Sequence, residues 1–384
     1  MRARPRVFSL AGLIRFLGAA SPLLHRSHLS LPLRLLHVVG ARPNFPKLAP
    51  VLRAGRRVGV EQIVVHTGQH YDALMSSSFF DDLGITPPDH NLEVGSGTHA
   101  VQTARIMERF EPVLLRHRPD WLVVYGDVNS TMATALVAAK LGVRIAHVEA
   151  GLRSGDRAMP EEINRIVADR VADLLLTPSR DADETLRREG ARPEQIVFVG
   201  NVMIDSLLHA LPRARATGAA GRLGADGSHV LVTLHRPSNV DDEARLRAIL
   251  AALAAIGRTR RVLFPSHPRT AQRIAALGLP LAGVELIAPL PYHDMVDVMA
   301  RAHAVITDSG GIQEETTALG VPCFTVRENT ERPITITEGT NQLVRDLAPL
   351  PSLVEEVRRP THPPRPEGWD GCAGERIIQA LVDA

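Results

Sequence analysis

Ala304-Val305-Ile306-Thr307-Asp308-Ser309-Gly310-Gly311-Ile312-Gln313-Glu314-Glu315 decides how the rest of this chain is read. Its first four residues form a short apolar run with polar neighbours, which predicts a buried strand. From Ile312 the pattern turns helical and continues to Leu319, where Gly320 and then Pro322 stop it. A strand therefore enters a two-glycine turn that opens a helix. Such a turn lets backbone N–H groups come close to an anion, and the helix N-terminus adds partial positive charge. A diphosphate suits that place. Glu315, about one helical turn in, could accept from ribose hydroxyls, as the acidic residue of dinucleotide sites does. Taken alone, Ser-Gly-Gly is equally a plain tight turn.

The same alternation runs outward in both directions. Upstream, residues 35–39, 62–66, 121–125, 143–148, 174–177 and 196–199 read as short apolar strands, with helices over 48–58, 101–117 and 131–141. Pro160, followed by Glu161 and Glu162, marks another helix start. Residues 214–227 are rich in Ala, Gly and Arg and are read as an irregular crossing into a second domain. Strands then resume over 229–234, 261–264, 286–287 and 321–326, with helices over 243–256, 292–300 and 373–382. Short strands alternating with helices of about a dozen residues predict parallel sheets covered on both faces. The expected layout is an N-terminal extension over 1–32 and a Rossmann-like domain over 33–206. A second such domain over 207–370 would hold a nucleotide, and a C-terminal helix over 371–384 would pack back on the first.

Composition narrows the function. The chain has 384 residues, 45% hydrophobic and 22% charged, the profile of a soluble globular enzyme with two cores. A net charge of +2, with arginines scattered along the chain, gives no nucleic-acid groove. Cys323 and Cys372 are too few for a disulfide framework and supply no metal-ligand spacing, so a cytoplasmic protein is expected. No Gly-x-Gly-x-x-Gly or His/Cys cluster is present, and no cofactor or metal is expected. Residues 7–20 are mostly apolar after a basic start, but Arg15 interrupts a run already too short to span a bilayer. An uncleaved extension is the expectation, with no membrane partner.

Arg42, Lys47, Asp127, Glu149, His235, Ser309 and Arg332 each follow a predicted strand closely. In an open α/β sheet, ligands bind outside the carboxyl ends of the strands. Polar groups drawn from both halves therefore describe an interdomain cleft. Singly, each has an ordinary reading as well. Asp127 could be an N-cap, Glu149 a structural carboxylate, Glu161 a first-turn acid and His235 a satisfied loop histidine, while Arg42 and Arg332 could be surface cations.

Together these residues carry a signature. Gly40-Ala41-Arg42-Pro43…Lys47, Gly126-Asp127, His147-Val148-Glu149-Ala150-Gly151-Leu152-Arg153 and Pro160-Glu161-Glu162…Asn164-Arg165 come first. Gly200-Asn201, His235-Arg236, Ser309-Gly310-Gly311-Ile312-Gln313-Glu314-Glu315 and Thr330-Glu331-Arg332-Pro333 follow in that order. From about residue 33 to the C-terminus the chain closely resembles the non-hydrolysing UDP-N-acetylglucosamine 2-epimerases. The resemblance implies two Rossmann-like doubly wound domains in the arrangement of GT-B glycosyltransferases, an active site between them, and a homodimer. It implies that Arg42, Lys47, His235 and Arg332 touch the diphosphate or sugar end of a UDP-sugar, with His235 grouped among the catalytic side chains. Ser309, Gly310 and Gly311 would hold the diphosphate and Glu315 the ribose. Asp127, Glu149 and Glu161 would be the acid/base carboxylates, and Gln69 and His70 would belong to a second, regulatory UDP-GlcNAc site. Two departures stand out: Ala41-Arg42-Pro43-Asn44 replaces the common Thr-Arg-Pro-Glu, and Met295 falls where a phenylalanine often flanks the uracil.

The implied reaction interconverts UDP-GlcNAc and UDP-ManNAc and serves cell-surface polysaccharide precursors. Alternatives are a hydrolysing epimerase that releases ManNAc, a 2-epimerase of a UDP-diacetamido sugar, a retaining GT-B glycosyltransferase, and a non-enzymatic UDP-sugar sensor. Sensing alone does not need three carboxylates.

Overall fold

Strands that are apolar at every position need cover on both faces, which a parallel sheet between helix layers provides. The computed structural model describes residues 33–68, 82–278 and 281–384, and the expected extension and Gln69 and His70 lie outside the described residues. Two such sheets are built. The first contains β1 (Arg34–Val39), β2 (Glu61–His66), β3 (His90–Asn91), β4 (Trp121–Tyr125), β5 (Arg144–Val148), β6 (Leu174–Thr177) and β7 (Ile196–Phe198). Their order is β3-β2-β1-β4-β5-β6-β7, with every pairing parallel.

The second sheet contains β8 (Val230–Thr233), β9 (Val262–Pro265), β10 (Val284–Ile287), β11 (Ala304–Thr307), β12 (Cys323–Thr325) and β13 (Asn341–Leu343), in the order β10-β9-β8-β11-β12-β13. It too is wholly parallel. Strand order reverses beside β1 in one sheet and beside β8 in the other. Those switch points leave the crevices in which doubly wound folds bind ligands.

The helices that matter for the site are α1 (Phe45–Arg57), α2 (His99–His117), α3 (Asn129–Leu141), α4 (Pro160–Val171), α5 (Val202–Thr217), α6 (Tyr292–Arg301), α7 (Gly310–Leu319) and α8 (Ala373–Asp383). Helix α1 starts three residues earlier than the apolar pattern predicts, because a 3-10 turn over Arg42–Asn44 feeds directly into it. Asn44 holds that turn: its side-chain oxygen accepts from Gly40 and Ala41 N–H at 3.1 and 3.2 Å, and its amide donates to Tyr125 O at 3.0 Å. Lys47 is thereby carried into the first turn of α1, under the sheet's carboxyl edge.

The larger difference is α5. The sequence reading assigns no element over 202–213 and an irregular crossing over 214–227, whereas Val202–Thr217 is a helix of 16 residues that reaches into that crossing. Asn201 caps it by accepting from Met203 N–H, and Gly218 ends it at a φ of +63°. Helix α5 packs against α1 and α8 on one side and α6 and α7 on the other. One continuous core runs from Leu35 and Val123 through Leu207 and Ala210 to Val296 and Val305. Helix α8 returns to α1, with Gly374 N–H donating to Asp205 at 2.8 Å and an Arg57–Glu375 ion pair at 2.6 Å. Strands β3 and β13 carried no apolar run and are short pieces at the sheet edges. Among the described residues, no helix is long and apolar enough to cross a membrane.

Candidate active site

Glu149 follows β5 directly and sits at a φ of +72°, a conformation that costs a non-glycine residue on the order of 1–3 kcal/mol. Two backbone bonds hold it there: the N–H groups of Glu149 and Ala150 both donate to Leu176 O, at 3.0 and 3.2 Å. The turn sends the carboxylate inward, where it is buried between Lys47 and the Arg332 guanidinium, whose Nη2 lies 2.7 Å from Oε1. Burial alone would push this carboxyl up; Lys47 and Arg332 outweigh that and hold it below the usual carboxylate range. Gly126, at the end of β4, has to be glycine, because its φ is +61° and a Cβ there would run into Lys47 Nζ and Glu149 Oε2.

Arg332 comes from the other domain and is the hub. Besides Glu149, its guanidinium reaches Glu314 at 3.0 Å and Glu331 at 2.8 Å. It also abuts the start of α7, where a Cβ on Gly310 would meet Nη1. Ser309 is the N-cap residue, yet its side chain makes no capping bond. The Ser309 side chain therefore leaves the first-turn N–H groups of α7 uncapped beside a fixed guanidinium, as an anion site requires. Burial would push Glu331 up, but Arg332, Arg327 and Arg236 hold it far below the usual range. Burial dominates at Glu314 and lifts its carboxyl to about 7 against the pull of Arg332.

Asp127 follows Gly126, with its side chain 25% exposed and its carboxylate paired with Arg165. Arg165 is held from behind by Glu162 at 2.7 Å, which also accepts from the N–H groups of Ser154 and Gly155. The same helix brings Asn164, whose amide donates to Asp127 O at 2.8 Å. Glu161 is half-buried and stays outside this network, its side chain making no hydrogen bond or ion pair with another described residue. Of the two acids in that first turn, it is Glu162 that the ion pairs take up.

His235 lies at the end of β8, its side chain 64% exposed, with Nδ1 2.9 Å from the buried Asp308. Asp308 also accepts from Arg236 N–H and from the Asn239 amide, both at 3.0 Å. Asp308 therefore ties the end of β8 to the glycine turn, and its partners hold it ionised against burial. Arg42 is exposed on the turn before α1. Lys47, Glu149 and Arg332 thus converge, with Gly310 at Arg332, Gly126 at Lys47 and Glu149, and Asp127 following Gly126 and paired with Arg165. Ser309 and His235 meet through Asp308, one element along.

The family described as UDP-N-acetylglucosamine 2-epimerase matches residues 53–382. The chain belongs to that family. It is 38% identical over 362 residues to the UDP-N-acetylglucosamine 2-epimerase of Methanocaldococcus jannaschii, covering 91% of this chain and 99% of the relative. It is 46% identical over 333 residues to the UDP-2,3-diacetamido-2,3-dideoxy-D-glucuronate 2-epimerase of Pseudomonas aeruginosa, covering 85% and 92%. The crystal structure of the M. jannaschii enzyme in complex with UDP-GlcNAc and UDP superposes with a TM-score of 0.84, at 38% identity, covering 92% of this chain and all of that one. The protein is an epimerase of the two-domain GT-B type.

Within this epimerase, the sequence reading missed Glu314, Glu331 and Arg165, the groups that set the charge around the expected ones. A signal existed for each. All three sit in the quoted motifs, Glu314 beside Glu315, Glu331 beside Arg332 and Arg165 one helical turn after Glu161. Glu315 is buried and accepts from the Tyr292 hydroxyl at 3.0 Å, while burial pushes its carboxyl from 4.5 to about 7. Between those values the folded chain binds a proton that the unfolded chain has lost, so stability falls as pH rises through the window. Glu315→Gln keeps an acceptor for Tyr292 without the charge. It is expected to be about 3 kcal/mol more stable than the parent near pH 8 and within about 1 kcal/mol of it near pH 5. Urea unfolding at the two pH values checks this, and a gain of equal size at both would refute it.

Proposed function

We propose that this epimerase inverts C2 of a UDP-linked 2-acetamido sugar, converting UDP-GlcNAc to UDP-ManNAc without hydrolysis. The observation that carries the reading is the placement of Arg332, whose single guanidinium adjoins the Gly310 turn and binds Glu149. A diphosphate at α7 and a carboxylate at the sugar are thus served by one cation from the second domain. The C2 proton is not adjacent to a carbonyl, so its direct removal is very unfavourable. Breaking the C1–O bond sends the electron pair to UDP and leaves an oxocarbenium-like C1, which makes the C2 proton acidic. A carboxylate takes that proton, giving a glycal and UDP. UDP then re-adds at C1 while a carboxylic acid delivers a proton to the opposite face of C2.

In this proposal Ser309, Gly310, Gly311, Arg332, Arg42 and Lys47 stabilise the departing diphosphate. Glu315 holds the ribose, and His235 lies at the phosphate end. Asp127 and Glu149, with Glu161 as the outlying third acid, supply the proton transfers; burial and ion pairing hold them in different charge environments. The protein works as a cytoplasmic homodimer.

Proton NMR of purified protein with UDP-GlcNAc in heavy water tests the reading. Deuterium at C2 with accumulating UDP-ManNAc is expected. Free ManNAc would replace the non-hydrolysing step with a hydrolysing one, and absence of C2 exchange would remove this substrate. The 46% identity to the P. aeruginosa enzyme favours a second reading, a UDP-2,3-diacetamido uronate as substrate. The same exchange experiment with that sugar, and the ratio of the two rates, decides between them.

A further inference from the structure

His147 stands in β5, two residues before Glu149, and its side chain has no solvent exposure. Its Nε2 lies 2.7 Å from the carbonyl oxygen of Gly126. A carbonyl only accepts, so Nε2 carries a hydrogen. Its Nδ1 lies 2.6 Å from Asp169 Oδ1. Burial would push the Asp169 carboxyl up, but His147 and Arg153 hold it below the usual range. The ring is thus clamped at both nitrogens, with Nε2–H donating to Gly126 and Nδ1 against Asp169. Asp169 in turn accepts from Gly151 N–H at 3.1 Å and pairs with Arg153 at 2.7 Å, which fixes the chain just beyond Glu149.

Gly126 is held at its other end too, since its N–H donates to Val148 O at 3.0 Å. Strand β5 thus grips both polar groups of the residue before Asp127. Without the ring's Nε2–H, the buried Gly126 carbonyl would lose its partner and the turn would be free to rotate. We propose that His147, oriented by Asp169, is a positioning residue that locks the Gly126-Asp127 turn against β5 and so fixes Asp127 relative to Glu149. The inference rests on the epimerase reading only in what Asp127 goes on to do.

Two measurements test it, one of them independent of activity. In protein labelled with ¹⁵N in its histidine rings, Nε2 of His147 is expected to carry the hydrogen that bonds Gly126, with the signals assigned by their loss in His147→Gln. A bare Nε2 would overturn the proposal whatever the activity. In kinetics, His147→Leu is expected to lower kcat about 100-fold while KM for the UDP-sugar stays within about twofold. His147→Gln, whose amide can still donate to Gly126, is expected to recover most of kcat. Equal losses in the two variants, or a loss expressed mainly in KM, would overturn it. If no substrate turns over in the parent, the labelled-ring result still decides the matter.

Discussion

Asp127→Asn lowers the rate of C2 epimerisation by about 10³-fold or more and leaves UDP binding measurable. The amide has the size of the carboxylate and can still bond to Arg165, but it cannot accept a proton. Arg165 keeps Glu162, 2.7 Å away, so the substitution does not strand a buried cation. The proposed nucleotide cradle lies on α7, and the Asp127 carboxylate makes no hydrogen bond or ion pair with its residues. Asp127 keeps 25% of its side chain exposed, whereas Glu149 is closed in by two cations, so Asp127 is the more open of the two carboxylates. Proton NMR in heavy water measures the exchange, and calorimetric titration with UDP measures the binding. Parental activity in the variant would remove Asp127 from the chemistry, and loss of UDP binding would show that the turn also supports the cradle.

The fold was legible because its strands are short apolar runs and its helices carry end signals. Trp121–Tyr125, Leu174–Thr177 and Ala304–Thr307 fall where the pattern puts them. Helix α5 was not legible, because it packs against helices on both sides and so shows no single apolar face, and Pro212 sits inside it. At the site, the residues nearest the strand ends could be found by position alone. The charge balance could not. Which of Glu161 and Glu162 joins the ion pairs depends on the direction each side chain leaves α4. That Glu314 and Glu149 share one guanidinium depends on how the two domains meet. The left-handed turn at Glu149 was hidden for another reason: it is imposed by two bonds to Leu176 and not by any residue that favours it.

Arg332→Met is expected to cost about 3–5 kcal/mol of stability near pH 8 and to abolish turnover. Its three carboxylate partners are not equally exposed to the loss. Glu149 keeps Lys47, and Glu331 keeps Arg327 at 2.8 Å and Arg236 at 3.6 Å. Glu314 keeps no ion pair among the described residues, and burial already lifts its carboxyl to about 7. Without the guanidinium it rises further. The folded variant then holds a proton over a wide range in which the unfolded chain has released it. Its deficit therefore grows as pH rises and shrinks on acidification. Adding Glu314→Gln removes the stranded charge, so the double variant should regain much of the stability near pH 8. Turnover should not return, because the diphosphate has lost its cation and Glu149 its second partner. Urea unfolding of the parent, both single variants and the double variant near pH 5 and near pH 8 forms a complete cycle. A deficit independent of pH, or a double variant no more stable than Arg332→Met, would show that Arg332 is held for its packing and not to offset Glu314.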